Sequence, residues 1–215
     1  TPEEMDAFVR KATMNAPRAL IRRLDIISES FLKRGNHPYQ DEIFAVSKKM
    51  IGPGAYFLNV NFEWGCTVRV GDTPRGPEMR RVLDWGTPGL GAKASMLRVH
   101  NTLGPWYTPS WPGFAGIVHG FAPKRFAVAL NQAPLKKRTG LFVPDWLLAK
   151  HDVWKSQSGN MPVHLLRTVM ETARTYDDAV DMLKRRRVCV HAIFSIVGTK
   201  PHEYCVLERE QDQVY

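Results

Sequence analysis

The sequence predicts an α+β protein whose helices and strands pack in layers. Three observations support this class: helical periodicity over the first fifty residues, strand-like alternation from about residue 56 to residue 131, and a second helical stretch from Val163 that is followed by two strands. This order of elements favours layered packing over a doubly wound parallel sheet. With 215 residues, 44% of them hydrophobic, the chain can bury a substantial core in one or two domains.

The first fifty residues are predicted to form helices. Thr1-Pro2-Glu3-Glu4 has the form of a capping box with Pro at the first helical position, which predicts a helix to about Asn15. A second helix is predicted from Pro17 to Gly35, because its apolar residues recur at helical spacing. Those residues are Leu20, Ile21, Leu24, Ile27 and Phe31. A third helix, around Ile43 to Met50, is expected to stop at the Gly-Pro-Gly of residues 52–54.

A strand-rich region is predicted to follow. Apolar and polar residues begin to alternate at Tyr56 and continue to Phe62, which is typical of a strand. Further strands are predicted at about residues 66–71, 80–85, 95–100, 115–119 and 125–131. Helical spacing returns at residues 163–170 and 179–183, and strands at 188–197 and 204–208 close the chain around a hairpin turn at 198–201.

The positive charge is concentrated in the second part of the chain. Residues 1–65 carry nine Lys and Arg against eight Asp and Glu, whereas residues 66–215 carry twenty-one against thirteen, and the net charge is +9. The densest runs lie at residues 136–138 and 184–187, beside predicted turns or helix ends. No stacking-aromatic motif accompanies them, so we favour a solvated basic edge over a nucleic-acid site.

Cysteine content and hydropathy bear on the compartment. Cys66, Cys189 and Cys205 are an odd number at no metal-like or disulfide-framework spacing, which fits a reducing compartment. We find no apolar run of the roughly 20 residues that a membrane span needs, and the first residues do not resemble a signal peptide. A cytoplasmic location is therefore expected.

Cys66 is the most distinctive candidate for chemistry. It follows Gly65 and precedes Thr67 at the start of a predicted strand, although a lone cysteine is more often inert core than nucleophile. Arg81 and Asp84 lie fifteen and eighteen residues downstream of it, across a predicted turn at residues 71–74. A hairpin would bring both beside Cys66. Without that cysteine, the two would be interpreted as a structural ion pair.

Residues Asn61 to Pro134 resemble the group of acid ceramidases, N-acylethanolamine amidases and penicillin acyltransferases, relatives of the bile-salt hydrolases. The motifs are Gly-Cys-Thr at 65–67, Arg-x-x-Asp at 81–84, Pro-Gly-Phe at 112–114 and Asn131 in Ala-Leu-Asn-Gln-Ala-Pro. The resemblance implies an αββα N-terminal-nucleophile (Ntn) sandwich and an inactive precursor that cleaves itself before Cys66. It also implies action on a non-peptide amide. Members of the group continue past the strand that ends here at residues 208–209 and carry a later Asn and Arg, so we expect an incomplete sandwich at the C-terminus.

The chemistry expected of these residues follows from their functional groups. After cleavage between Gly65 and Cys66, the cysteine would hold both a thiol and an α-amine of pKa about 8, which can act as the base. Asp84 would orient that amine, Arg81 would favour the thiolate and position the substrate, and Asn131 would donate to the oxyanion. Asn131 could equally be a turn residue that ends a strand. Before cleavage, Thr67 would polarise the Gly65 carbonyl.

Aromatic and histidine residues leave alternatives open. Trp106, Trp111 and Phe114 either line an acyl pocket or belong to the sheet core. The histidines at 100, 119 and 191 share no spacing and are interpreted as core or rim residues, so no metal site and no cofactor are expected.

The predicted organisation is a single structural domain with a helical lead-in at residues 1–65 and a catalytic segment at residues 66–215. The favoured function is a cysteine amidohydrolase that cleaves a small N-acyl amide through a thioester, with acyl transfer as a variant of the same chemistry. The alternative is a non-catalytic protein on the same scaffold, which would bind an anionic lipid or nucleic acid through its basic second half.

Overall fold

A computed structural model describes residues 1–60, 65–84, 89–134, 137–155, 159–210 and 213–215. The helices are α1 Pro2–Ala12, α2 Arg18–Arg34, α3 Gln40–Lys49, α4 Ala55–Val60, α5 Phe142–Lys155, α6 Pro162–Thr172 and α7 Tyr176–Arg185. The strands are β1 Gly65–Thr73, β2 Gly76–Asp84, β3 Ser95–Asn101, β4 Gly104–Ser110, β5 His119–Ala122, β6 Phe126–Gln132, β7 Ala192–Val197, β8 Tyr204–Glu210 and β9 Gln213–Val214. The α+β class predicted from the sequence is confirmed.

The strands form two stacked antiparallel layers. Strands β1 and β2 make a two-stranded hairpin, and β3 to β9 follow one another in chain order across a seven-stranded sheet. The hairpin packs on the sheet, because β1 contacts β6, β7 and β8. Opposed residues of an antiparallel pair share a face, so His119, its partner Ala129 and the next partner, Ser195, point to one side of the sheet.

Helices α6 and α7 cover the other side of the sheet. Helix α6 contacts β5 and β6, and α7 contacts β7 and β8. The apolar side chains between them are fully buried; they include Val128, Leu130, Leu166, Met170 and Phe194. Of the hairpin and these two helices, only the hairpin packs on the opposite face of the sheet. This arrangement places β1 over β6, β7 and β8, and β2 over β7.

Helix α4 corrects one prediction. Residues 56–62 were expected to form a strand, but 55–60 are helical and 61–62 lie outside the described residues. The cause is not local: Oδ1 of Asp25, on α2, accepts hydrogen bonds from the backbone N–H groups of Tyr56 and Phe57 at 2.8 and 2.9 Å. These are the donors that a helix start leaves without intrahelical partners. The alternating pattern is thus overridden by a cap from a distant helix.

The N-terminal helices are predicted well. Thr1 forms the capping box with Glu4, α1 ends at Ala12, and Gly35 follows α2 as its C-cap. Helices α2 and α3 pack on α4. The side chain of Asn59 on α4 accepts from the backbone N–H of Ala115 at 2.9 Å and donates to the carbonyl of Gly113 at 3.3 Å. These bonds fasten the helical lead-in to the loop after β4.

Other boundaries differ from the prediction. The strand expected at 115–119 begins only at His119, and the final long strand begins at Ala192, since Val188 forms an isolated bridge with Asn160. Strand β4 and helix α5 were not predicted. Trp85, the last residue of the strand predicted at 80–85, lies outside the described residues. One cluster of buried apolar residues includes Phe8 of α1 and Leu207 of β8.

Candidate active site

The β1–β2 hairpin brings Cys66 and Arg81 together. In its register Val68 lies opposite Arg81 and Leu83 lies opposite Cys66. Cys66 and Arg81 are therefore diagonal neighbours on one face of the hairpin. Nη2 of Arg81 lies 3.0 Å from Sγ of Cys66, as its hydrogen-bond donor. The expected approach of the arginine to the cysteine is found in the structure.

Arg81 is fixed by contacts with the large sheet. Its Nη2 also donates to the carbonyl oxygen of Leu130 at 2.8 Å, and its Nη1 lies 2.6 Å from Nδ1 of His119. Burial lowers the pKa of the guanidinium, while the Cys66 side chain acts in the opposite direction. The group is half-buried, and no partner of its Nε is found within the described ranges.

The Cys66 thiol favours its protonated form. Burial raises the pKa of this thiol, and the negative charge of Asp84 adds to the rise. The charge and hydrogen bond of Arg81 act against it, as does a hydrogen bond from the Asp84 backbone. Because burial is the largest of these effects, the sulfur holds its proton at neutral pH. A nearby base is then required to form the thiolate.

Asn131 contacts the main chain of the same cysteine. It lies near the end of β6, and its Nδ2 donates to the carbonyl oxygen of Cys66 at 3.4 Å. Its Oδ1 is buried, with no hydrogen-bond partner in the described part of the chain. Asn131 thus faces the hairpin and lies beside the predicted nucleophile. Its predicted role as oxyanion donor stays a prediction.

Asp84 lies on the outer face of the hairpin. It ends β2 opposite Gly65, and its side chain is exposed, as is that of Thr67. Oγ1 of Thr67 donates to Oδ2 of Asp84 at 3.4 Å. The carboxylate is therefore on the face opposite to the Cys66 side chain, next to the Gly65-Cys66 peptide bond. Residues 61–64, which precede that bond, lie outside the described residues.

The three aromatic candidates are packed in the core. Trp106, Trp111 and Phe114 are 1%, 5% and 8% exposed. The Trp111 ring stacks on Phe8 with ring centroids 6.1 Å apart, and its Nε1 donates to the carbonyl of Leu90 at 3.0 Å. The core interpretation explains these contacts. The interpretation of these residues as the wall of an acyl pocket stays a prediction.

His119 was not singled out as a site residue. The sequence offered only a histidine within an apolar stretch, and its contact with Arg81 depends on the pairing of β5 with β6 and on the position of the hairpin. Among the described residues, no cluster of three or more His, Cys, Asp or Glu side chains could hold a metal ion. Within the same ranges, every helix is too short or too polar to cross a bilayer.

Known proteins similar to this chain are found both by sequence and by structure. No protein-family model matches the chain. Human acid ceramidase is 30% identical over 105 residues, which are 48% of this chain and 25% of the human protein. Mouse acid ceramidase is 26% identical over the same shares of each chain. The solved structure of the Caenorhabditis elegans N-acylethanolamine-hydrolyzing acid amidase superposes with a TM-score of 0.55 at 21% identity. The chain is thus similar in sequence to acid ceramidases over about half of its length, and its fold is similar to that of the nematode amidase.

These matches cover only part of each protein. The structural match covers 70% of this chain and 63% of the nematode amidase, and the sequence matches span about a quarter of the acid ceramidases. The likeness to the amidase establishes the Ntn-hydrolase fold, with its stacked sheets.

Proposed function

We propose that this protein is an N-terminal cysteine amidohydrolase that cleaves the amide of an N-acyl compound through a thioester on Cys66. The observation that carries the proposal is the 3.0 Å contact between Nη2 of Arg81 and Sγ of Cys66 in a hairpin that starts at Gly65. An arginine beside a thiol stabilises the thiolate. The names of its relatives, acid ceramidase and N-acylethanolamine-hydrolyzing acid amidase, point to N-acyl amides as substrates.

Self-cleavage is the first step of the proposal. Sγ of Cys66 attacks the carbonyl carbon of Gly65, and the C–N bond breaks as the nitrogen takes up a proton. The product is a thioester between Gly65 and the sulfur, with the α-amine of Cys66 released. Water then hydrolyses this thioester, which leaves a carboxylate on Gly65 and a free thiol on Cys66. The thiol and the new amine now belong to the same residue.

The new amine supplies the base that the buried thiol requires. It takes the thiol proton as the sulfur attacks the acyl carbonyl, and it returns a proton to the leaving amine. Asp84 lies opposite Gly65, at the point where the amine forms, and would hold its ammonium form. The Nδ2 group of Asn131 has two N–H bonds, one of which contacts the Cys66 carbonyl, and the second is available to an oxyanion. Water or a second amine then accepts the acyl group.

Intact mass measurement tests the cleavage. We expect two pieces divided between Gly65 and Cys66 from the native sequence, and a single piece from Cys66→Ala. Cys205→Ala is the matched control, because Cys205 is half-buried like Cys66 but lies on β8. It should cleave normally.

Turnover is tested with a fluorogenic fatty N-acyl amide, with the acyl-enzyme trapped by acid quenching. An added mass of one acyl group on the fragment that begins at Cys66 is the expected result. An uncut chain whose Cys66 accepts no acyl group would refute the proposal. If that chain also bound polyanions with steep salt dependence, the non-catalytic alternative would replace it.

A further inference from the structure

The contact between Arg81 and His119 connects the candidate nucleophile to the large sheet. Nη1 of Arg81 lies 2.6 Å from Nδ1 of His119. A guanidinium has no hydrogen-bond acceptor, so Nδ1 must accept and the imidazole proton must lie on Nε2. The protein therefore requires one tautomer of a neutral histidine at this position.

The surroundings of His119 keep it neutral. Burial lowers the pKa of His119 to about 4, and the adjacent positive charge of Arg81 contributes to the shift. The backbone is also fixed, because Oγ1 of Thr108 donates to the carbonyl of His119 at 2.7 Å. A protonated imidazole could not accept from Arg81 and would repel it.

Three acceptors then define the orientation of the guanidinium. Nη2 uses both of its N–H bonds, one on the Cys66 sulfur and one on the Leu130 carbonyl at 2.8 Å. Nη1 donates to His119. Without the imidazole, the guanidinium would keep only the two hydrogen bonds that Nη2 donates and could rotate away from the sulfur.

We propose that His119 is a positioning residue whose neutral imidazole accepts a hydrogen bond from Arg81 and holds the guanidinium against the Cys66 sulfur. This inference rests on the proposed function, in which Cys66 is the nucleophile. Its consequence is that the ease of forming the Cys66 thiolate depends on a histidine that acts on the sulfur through Arg81.

The first test measures iodoacetamide alkylation of Cys66 against pH in the full chain, with the modified site identified by peptide mass spectrometry. His119→Leu should move the midpoint upward by about half to one pH unit, which lowers the alkylation rate at pH 7.5 roughly three- to tenfold. His119→Asn places an amide oxygen near the position of Nδ1 and should restore the rate to within about twofold. His100→Leu changes an exposed histidine on β3 and is the control.

The second test needs no variant. Nitrogen NMR of the native protein at pH 7 should show His119 with its proton on Nε2 and no charge. A proton on Nδ1, or an unchanged alkylation midpoint in a folded His119→Leu protein, would overturn the proposal. If His119→Leu does not fold, the tautomer and the His119→Asn midpoint decide. Neither measurement depends on turnover. A protein without amidase activity would refute the proposed function, and both measurements would still test the role of His119.

Discussion

Two buried histidines predict a steep loss of stability in mild acid. His37 and His164 are 4% and 0% exposed, and no hydrogen-bond partner for their ring nitrogens is found among the described residues. His37 packs on the ring of Phe31, and His164 packs on Tyr39. They lie where the segment between α2 and α3 meets α6. The charged groups around Tyr39 are Glu171, which accepts from its hydroxyl, and Arg167, which lies over its ring and pairs with Glu42.

The size of the effect follows from the difference in pKa between the folded and unfolded states. Burial lowers the pKa of His37 to about 4; burial, helped by the charges of His37 and Arg167, lowers that of His164 to about 3. Each unit of difference is worth about 1.4 kcal/mol, so each histidine can contribute roughly 3 to 5 kcal/mol against the folded state in acid. Domains of this kind are stable by only about 5 to 15 kcal/mol.

The sign follows from proton binding. Above about pH 7 both histidines are neutral in both states and change nothing. As the pH falls from about 6.5 towards 4, the unfolded chain binds protons that the folded chain refuses, so the free energy of unfolding decreases. These two histidines together should contribute about 2.7 kcal/mol per pH unit to the slope near pH 5. His119, whose pKa burial also lowers to about 4, adds to the same slope.

Urea denaturation at pH 7.5, 6.5, 5.5 and 4.5 measures this slope. His164→Phe should reduce the slope by about one proton, roughly 1.4 kcal/mol per pH unit, even if it lowers stability at pH 7.5. His151→Phe, at an exposed position on α5, is the matched control. A free energy of unfolding that stays constant from pH 7 to pH 5, or an unchanged slope in His164→Phe, would refute the reasoning.

Three further predictions concern the site and its support. Arg81→Leu removes a charge-assisted hydrogen bond worth about 1.5 to 3 kcal/mol, so alkylation of Cys66 at pH 7.5 should slow at least about tenfold. The alkylation rate of Arg81→Lys should lie between those of the native protein and Arg81→Leu. Asn131→Ala should lower kcat on an N-acyl amide by about 10²- to 10³-fold, whereas the alkylation midpoint of Cys66 stays close to that of the native protein. Asp25→Ala removes the cap of α4 and should cost about 1 to 2 kcal/mol, measured as a fall in Tm, and Asp25→Asn should retain part of it. A normal Tm for Asp25→Ala would contradict the capping argument.

The sequence predicted those elements whose signals are local. The capping box at Thr1, the C-cap at Gly35 and the hairpin that joins Cys66 to Arg81 depend on neighbouring residues, and the structure contains all three. The strand predicted at residues 56–62 was wrong, because the first backbone N–H groups of α4 find their acceptor in Asp25, some thirty residues earlier. An alternating pattern records which residues can be buried, and it does not record where a helix start finds its acceptor.

The residues of the candidate site could likewise be predicted where their signals are local in the sequence. Cys66, Arg81 and Asp84 share one hairpin, so spacing alone predicts that they are neighbours, but the register places the Asp84 side chain on the face opposite to that of Cys66. Asn131 was identified through a short motif. His119 reaches the site only because β5 pairs with β6 and the hairpin packs on that face of the sheet. A contact between residues 38 positions apart on different sheets leaves no periodic trace in the sequence.

The raised pKa of Cys66 is consistent with a nucleophile that becomes reactive only when a base lies beside it. Arg81 alone does not offset the effect of burial on the thiol, so in the continuous chain the sulfur stays mostly protonated. The contacts of Arg81 with the sulfur and with His119 already exist in the continuous chain, and cleavage before Cys66 would add an amine on the same residue. The arrangement of the hairpin on the sheet can therefore be complete before cleavage, and the gain in reactivity would come from one new functional group. A Cys66 thiol that alkylates equally fast before and after cleavage would contradict this order of events.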